Sequence, residues 1–375
     1  MAKSFKDFFK PFLEKKNPSV LGIDIGSSSI KVVQVRKSNG QAVLETYGEL
    51  ALGPYGGLEV GQSTKLPVEK IVEALIDVLK EANASTIECA ISIPMRSSMV
   101  SVIKMPAMDS KQLPKMIPIE ARKYIPVPIS EVTLDWFVIP KSSNSDEDEE
   151  GSEEVSKNKR ETSEVLVVAI HNDVLNNYNS IISGAGLNAK FFEIEMFSTI
   201  RSVLEAGNNQ PVMICDIGSG VTKLYIVERG VVRDSHIINR GSQDITMNIA
   251  KSMEIDFTFA EKLKRNYGKN TPDQDEKIKS IIDLMISPIL SDTNTVLVNF
   301  QKKSNKNVSE VIVVGGGAML GGVIETAQEK LSITARAGDP FSLLESPEFL
   351  KDVLQKTGFS FATAIGLAIR ELQDM

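Results

Sequence analysis

An apolar run ending in aspartate, a turn of glycine and serine, and a second apolar run carrying a lysine occur twice in this chain. The first copy is Val20-Leu21-Gly22-Ile23-Asp24-Ile25-Gly26-Ser27-Ser28-Ser29-Ile30-Lys31-Val32-Val33. The second is Val212-Met213-Ile214-Cys215-Asp216-Ile217-Gly218-Ser219-Gly220-Val221-Thr222-Lys223-Leu224-Tyr225. Aspartate, glycine, serine and lysine fall in the same register. Each copy predicts a β-hairpin, and a repeated hairpin implies a repeated domain.

Between and after the copies, strand and helix patterns alternate, which argues an α/β class. Residues 43–50 read as a strand. Residues 68–81 carry a helical apolar period through Ile71, Val72, Leu75, Ile76 and Leu79, and residues 89–93 form a short buried strand. The texture then changes: strand 100–105, a helix over 110–123 interrupted by Pro114 and Pro118, strand 133–139, strand 165–170, helix 174–182 and strand 189–194. Residues 97–185 are therefore expected to be a small α/β subdomain inserted into the first half. Helices are predicted over 195–206, 243–253, 257–267, 275–299 and 361–372, with strand 311–314 feeding Gly315-Gly316-Gly317. The domains expected are 19–96 with 186–210, then 211–360, with residues 361–375 returning to the first.

Two segments break this alternation. Residues 3–16 place Phe5, Phe8, Phe9, Phe12 and Leu13 at helical spacing among five lysines, although Pro11 argues against one continuous helix. This arm at 1–18 reads either as an anchor on anionic lipid or a partner, or as a segment packed on its own domain. Residues 141–164 are dense in charge and hold no apolar run, so a disordered acidic loop is expected.

Composition narrows the function. With 42 Lys+Arg against 49 Asp+Glu the net charge is −7, which speaks against a broad nucleic-acid face. The uncharged apolar runs 311–324 and 357–369 are too short for a membrane span, and the start does not look like a secretion signal. A cytoplasmic protein is expected. Cys89 and Cys215 lie far apart inside apolar runs and read as buried thiols. His171 and His236 are the only histidines, so neither a histidine metal cluster nor a Ser-His-Asp site is supported.

The candidate chemistry follows from the hairpins. A turn of glycine and serine aims backbone N–H groups and hydroxyls at one point, and the aspartate at the strand end suits Mg²⁺ held directly or through water. Two such tips facing each other would grip a nucleotide triphosphate. The chain has neither the P-loop pattern nor the dinucleotide glycine fingerprint. Glu195, at the start of a helix, is a candidate for orienting a water. Glu261 and Lys264, three apart on one helix face, suit a ribose or adenine edge or form a surface ion pair. The glycine run at 315–317 would let a base or sugar lie against backbone.

This order resembles the actin, sugar-kinase and heat-shock-chaperone ATPase superfamily: hairpin, connecting helix, second hairpin, EKLK helix (261–264), VVGGGAMLGG (313–322) and ATAIGLA (362–368). The inserted subdomain is similar to that of the cell-division protein FtsA. More closely, GIDIGSSSIKVV (22–33), AISIPMRSSMVSVIKMP (90–106), EARKYIPVPISEVTLDW (120–136) and VLVVAIHNDVL (165–175) resemble the PilM family of type IV pilus assembly. The resemblance implies an actin-like ATPase fold with ATP and Mg²⁺ between two domains. Asp24 and Asp216 would lie on the metal side, and Glu195 would position water. The nucleotide would meet Gly26, Ser27, Ser28, Lys31, Gly218, Ser219, Gly220, Thr222, Gly241, Glu261, Lys264, Gly315, Gly316 and Gly317. It further implies an adaptor at the cytoplasmic face of the inner membrane, with at most slow ATP hydrolysis. This adaptor would bind the cytoplasmic tail of a PilN-like membrane protein and couple motor ATPases to pilus assembly. Self-association and peripheral membrane contact are open, and nucleic acid is not expected. An FtsA-like filament and a small-molecule kinase are the alternatives within the superfamily. The acidic insert and Arg122-Lys123 depart from the family pattern.

Overall fold

The computed structural model describes residues 19–109, 111–140, 162–205, 207–267 and 271–374. The expected N-terminal arm, and the expected acidic loop over 141–161, lie outside the described residues.

Two five-stranded sheets of equivalent topology form the frame. The first joins β1 (Ser19–Ile25), β2 (Ser29–Ser38), β3 (Gln41–Ala51), β4 (Glu88–Ile93) and, later in the chain, β8 (Asn188–Ile194), in the order β3-β2-β1-β4-β8. The second joins β9 (Val212–Ile217), β10 (Thr222–Glu228), β11 (Val231–Ile238), β12 (Glu310–Val314) and β13 (Thr334–Ala337), in the order β11-β10-β9-β12-β13. In each sheet the hairpin strands are antiparallel and the remainder parallel. The duplicated sequence is thus a duplicated topology.

Both sheets are covered on two faces, which is why β1 and β9 are apolar almost throughout. On the first sheet, Leu21, Ile23, Val32 and Ile91 pack against α1 (Val68–Glu81) and α3 (Asn172–Gly184). Its other face, through Val20, Val33 and Val35, meets α10 (Ala362–Asp374). On the second sheet, Met213, Cys215, Leu224 and Ile226 face α5 (Ser242–Met253), α6 (Phe257–Arg265), α7 (Pro272–Ser304) and α8 (Val323–Leu331). The opposite face, Ile214, Tyr225, Val227 and Ile312, receives α4 (Glu195–Val203).

A three-stranded antiparallel sheet, β5 (Ser98–Pro106), β7 (Thr162–His171) and β6 (Val132–Ile139), forms the inserted subdomain with α2 (Leu113–Ala121). Three expectations are corrected here. Helix α3 belongs to the first domain's core, because Tyr178, Ile181 and Ile182 pack with α1 and not with the inserted sheet. Residues 162–164, expected in the acidic loop, belong to β7: they pair with Lys104–Pro106, and Glu164 bonds Arg233 of β11 at 2.7 Å. Pro114 does not interrupt α2, since it lies in the first turn, where its missing N–H costs nothing.

Helix α7 qualifies a fourth expectation. It contains an 18-residue window of mean hydropathy 1.4, long and apolar enough to cross a membrane, in a stretch that Asp283 and Asp292 break into shorter uncharged runs. Its Ile278, Ile282, Ile286, Ile289, Leu290 and Phe300 are buried in the second domain's core, so much of this apolar surface already has partners.

Helix α10 threads between β1 and α4. A Cβ on Gly22 would sit 1.9 Å from the Ala364 carbonyl oxygen, and one on Gly366 would sit 1.9 Å from that of Ser198. Glycine at both places permits this approach. The crossing is clasped by buried Glu193, which accepts hydrogen bonds from Arg201 (2.8 Å to each oxygen), Ser198 (2.5 Å) and Arg370 (2.5 Å).

Candidate functional site

Each hairpin closes the same way. The Gly26 amide donates to the Ser29 carbonyl at 3.0 Å, and that of Gly218 to Val221 at 2.9 Å. The register puts Asp24 directly opposite Lys31, and Asp216 opposite Lys223. The two turns come together across the interface between the sheets, tied by the segment that follows β3. Ser63 Oγ lies 3.1 Å from both Ser27 Oγ and Ser219 Oγ, and the Ser63 amide donates to Gln243 Oε1 on α5. The Thr64 amide donates to the Ser27 carbonyl at 2.8 Å, Ser219 Oγ to that of Gly61 at 3.1 Å, and the Leu52 amide to that of Ser28 at 2.9 Å. Gly220 faces Ser63.

Behind the turns the two copies differ. Asp24 accepts a hydrogen bond from Ser92 Oγ at 2.7 Å, while Lys31 turns to Ser29 Oγ at 2.7 Å and Glu49 at 3.2 Å. Lys223 instead bridges Asp216 Oδ2 at 2.7 Å and Glu195 Oε2 at 2.6 Å. The other Glu195 oxygen accepts the Met95 amide at 2.8 Å. Burial pushes the Glu195 carboxyl up, against the pull of Lys223. Burial draws Lys223 down, but Asp216 and Glu195 together hold it well above its ordinary value. Tyr225, two residues along the same strand face, buries a hydroxyl with no hydrogen-bond partner among these charges.

The nucleoside-side candidates divide. Gly315, at φ +85°, lies so close to the second hairpin that a Cβ would be 2.4 Å from Asp216 Oδ1. Gly317 abuts Ile217, and Gly316 faces open space. Gly241 caps α5 in extended backbone against the Ser219 carbonyl, and the Ser242 and Gln243 amides donate to the second turn at 2.9 and 3.0 Å. Four candidates are turned elsewhere. Lys31 is spent on Ser29 and Glu49. Thr222 Oγ1 donates to the Arg240 carbonyl at 2.9 Å. Glu261 and Lys264 pair with each other at 2.6 Å, and Lys264 also donates to Thr246 Oγ1 at 2.7 Å. This pair is buried, neither a surface ion pair nor an open edge for a ribose, because α6 packs on α5. Burial pushes Glu261 up, but Lys264, Thr246 and Arg265 hold it below the ordinary carboxylate range; burial draws Lys264 down.

Sequence reasoning missed Ser63, Gln243, Ser92 and Lys223 as members of the site. Lys223 was visible in the repeated motif. Ser63 and Gln243 carry no local signal, since the chain path alone brings them to the turns. Among the described residues no group of three or more His, Cys, Asp or Glu side chains could hold a metal ion. A divalent ion fits here only through Asp24, whose carboxylate has no ion-pair partner among the described residues, with water and phosphate oxygens as its other ligands.

Duplicated five-stranded sheets with facing hairpin turns, crossed by α4 and α10, define an actin-like ATPase fold. Solved structures sharing it include MreB5 of Spiroplasma citri bound to AMPPNP, with TM-score 0.52, 12% identity, and coverage of 96% of this chain and 98% of that one. The chain belongs to the PilM family: the model for type IV pilus assembly protein PilM matches residues 22–372. It is an actin-like protein of type IV pilus assembly. The PilM-PilN type IV pilus biogenesis complex matches with TM-score 0.76 at 23% identity, covering 94% of this chain and 98% of that one. The cell-division protein FtsA of Buchnera aphidicola subsp. Baizongia pistaciae is 26% identical over 176 residues, 46% of this chain and 40% of that protein. The chain thus spans less than half the length of that relative.

Proposed function

We propose that this chain is an ATP-binding adaptor of the type IV pilus platform at the cytoplasmic face of the inner membrane. It receives the cytoplasmic tail of a PilN-like membrane protein and couples motor ATPases to pilus assembly. The observation that carries the nucleotide reading is the meeting of the two turns through Ser27, Ser63 and Ser219. Amides and hydroxyls of residues 26–28 and 218–220 would bind the phosphates, with Ser63 giving way. Asp24 would hold Mg²⁺, which screens phosphate charge when bound. Gly315, Gly316 and Gly317 would form the floor beneath the nucleoside. Glu195 has both oxygens engaged and is poorly placed to orient water, so hydrolysis is slow.

The partner reading is supported by family membership and by the solved likeness of a PilM bound to PilN. The inserted subdomain also exposes Met116, Ile119, Tyr124 and Phe137, apolar surface of the kind that tail recognition uses. The test is to incubate the chain with Mg-ATP, desalt it, and identify the retained nucleotide by chromatography, with and without a synthetic PilN-like tail peptide. Intact ATP retained near one equivalent, with retention altered by the peptide, is the expected result. No retained nucleotide would remove the ATP reading, and indifference to the peptide would remove the coupling to the tail. Rapid ADP formation that requires a small-molecule acceptor would make the chain a kinase.

A further inference from the structure

The two hairpins match in sequence and register but not in electrostatics. Asp24 and Asp216 occupy equivalent strand ends, each opposite a lysine. In the first copy the lysine leaves: Lys31 reaches Ser29 and Glu49, and among the described residues Asp24 keeps only the Ser92 hydroxyl. In the second copy Lys223 stays, shared between Asp216 and Glu195 in a site where all three side chains are about nine-tenths buried. Lys31 is free to leave because Glu49 stands across from it on β3, and the second sheet offers Lys223 no such alternative: Ile237 stands at that position of β11.

We propose that Lys223 is a resident cation of the cleft, a positioning residue that keeps Asp216 and Glu195 from taking a divalent ion. It also pins Glu195 away from any water beside the terminal phosphate. Metal dependence then falls on Asp24 alone, and a bound triphosphate is held without being turned over. An ammonium on two buried carboxylates does part of the work of a divalent ion: it offsets one of their two negative charges and so eases the approach of phosphate oxygens, yet it brings no coordinated water. The proposal rests on the reading of this cleft as a triphosphate site.

The test uses the full chain with Mn²⁺ alone as the probe, free ion being counted by electron paramagnetic resonance. The wild type is expected to bind Mn²⁺ weakly and to lose that binding in Asp24→Ala. Lys223→Gln frees two carboxylates, so Mn²⁺ affinity should rise at least tenfold and should survive Asp24→Ala. Affinity within twofold of wild type, in a variant with native far-ultraviolet circular dichroism, would overturn the proposal. If Lys223→Gln does not fold, the paired variant Lys223→Met with Glu195→Gln leaves Asp216 as the freed carboxylate. A fivefold gain is then expected, and no gain contradicts the proposal. Binding of Mn-ATP is measured in parallel. Its absence in the wild type would refute the triphosphate reading, whereas its presence with unchanged Mn²⁺ affinity in the lysine variants would refute only the role of Lys223.

Discussion

Replacing Gly366 by alanine places one methyl group where α10 crosses α4. The new Cβ would lie 1.9 Å from the Ser198 carbonyl oxygen, 2.5 Å from its carbon and 2.9 Å from the Ser198 Cα. All three are backbone atoms of a buried helix, so no side chain can swing aside. Ordinary contact begins near 3.4 Å, so the helices must separate by about 1.5 Å. Overpacking of this kind costs up to ~3 kcal/mol or more, and alanine returns at most ~1 kcal/mol through its better helix propensity. The net expectation is a loss of about 2 kcal/mol. The Glu193 clasp with Arg201 and Arg370 spans the same crossing and should be loosened with it. Urea denaturation of the full chain, followed by circular dichroism, is the assay: the midpoint should fall with little change of slope. Equal or greater stability would show that propensity dominates and that the close crossing does not constrain the fold.

Other consequences can be checked separately. Glu261→Ala leaves buried Lys264 without its carboxylate and should cost about 3–5 kcal/mol, whereas replacing both residues by methionine should cost far less; a double-mutant denaturation series decides. Burial pushes Glu193 up, but Arg201, Ser198 and Arg370 hold it below the ordinary range. Its contribution is therefore full above the unfolded value of about 4.3 and is lost as pH falls through the lower folded value. Glu193→Gln should flatten the acid limb of the stability profile, and an unchanged limb would remove the assignment. Glu164→Ala breaks the tie from the inserted sheet to Arg233, and hydrogen exchange should rise in β7 and β11 ahead of the two large sheets.

The long periodic elements were legible because their patterns are local. Helix α1 was read at its observed ends, with Pro67 just before it, although Ile76, counted on its apolar face, is exposed and Ala74 and Val78 are buried in its place. The duplicated hairpins were legible because strands buried on both faces read as apolar runs. Strand β11 was missed: Arg233, Asp234 and His236 break its pattern, since it is an edge strand with polar neighbours in the inserted subdomain. The site was half legible. Motif reading found both turns and both aspartates, but it could not see that Glu49 draws Lys31 away, that Thr246 receives Lys264, or that residues 59–64 cross to the second domain, where Glu59 meets Thr258 at 2.6 Å. These depend on tertiary contacts that no short motif encodes.

The central claim is that the two turns form one nucleotide site in which Asp24 carries the metal. Isothermal titration of Mg-ATP into the full chain tests it most directly, run beside Asp24→Ala and beside the wild type in EDTA. The account predicts a single saturable site in the wild type and at least tenfold weaker binding both in Asp24→Ala and in EDTA. Wild-type affinity in Asp24→Ala, or no binding by the wild type, would contradict it.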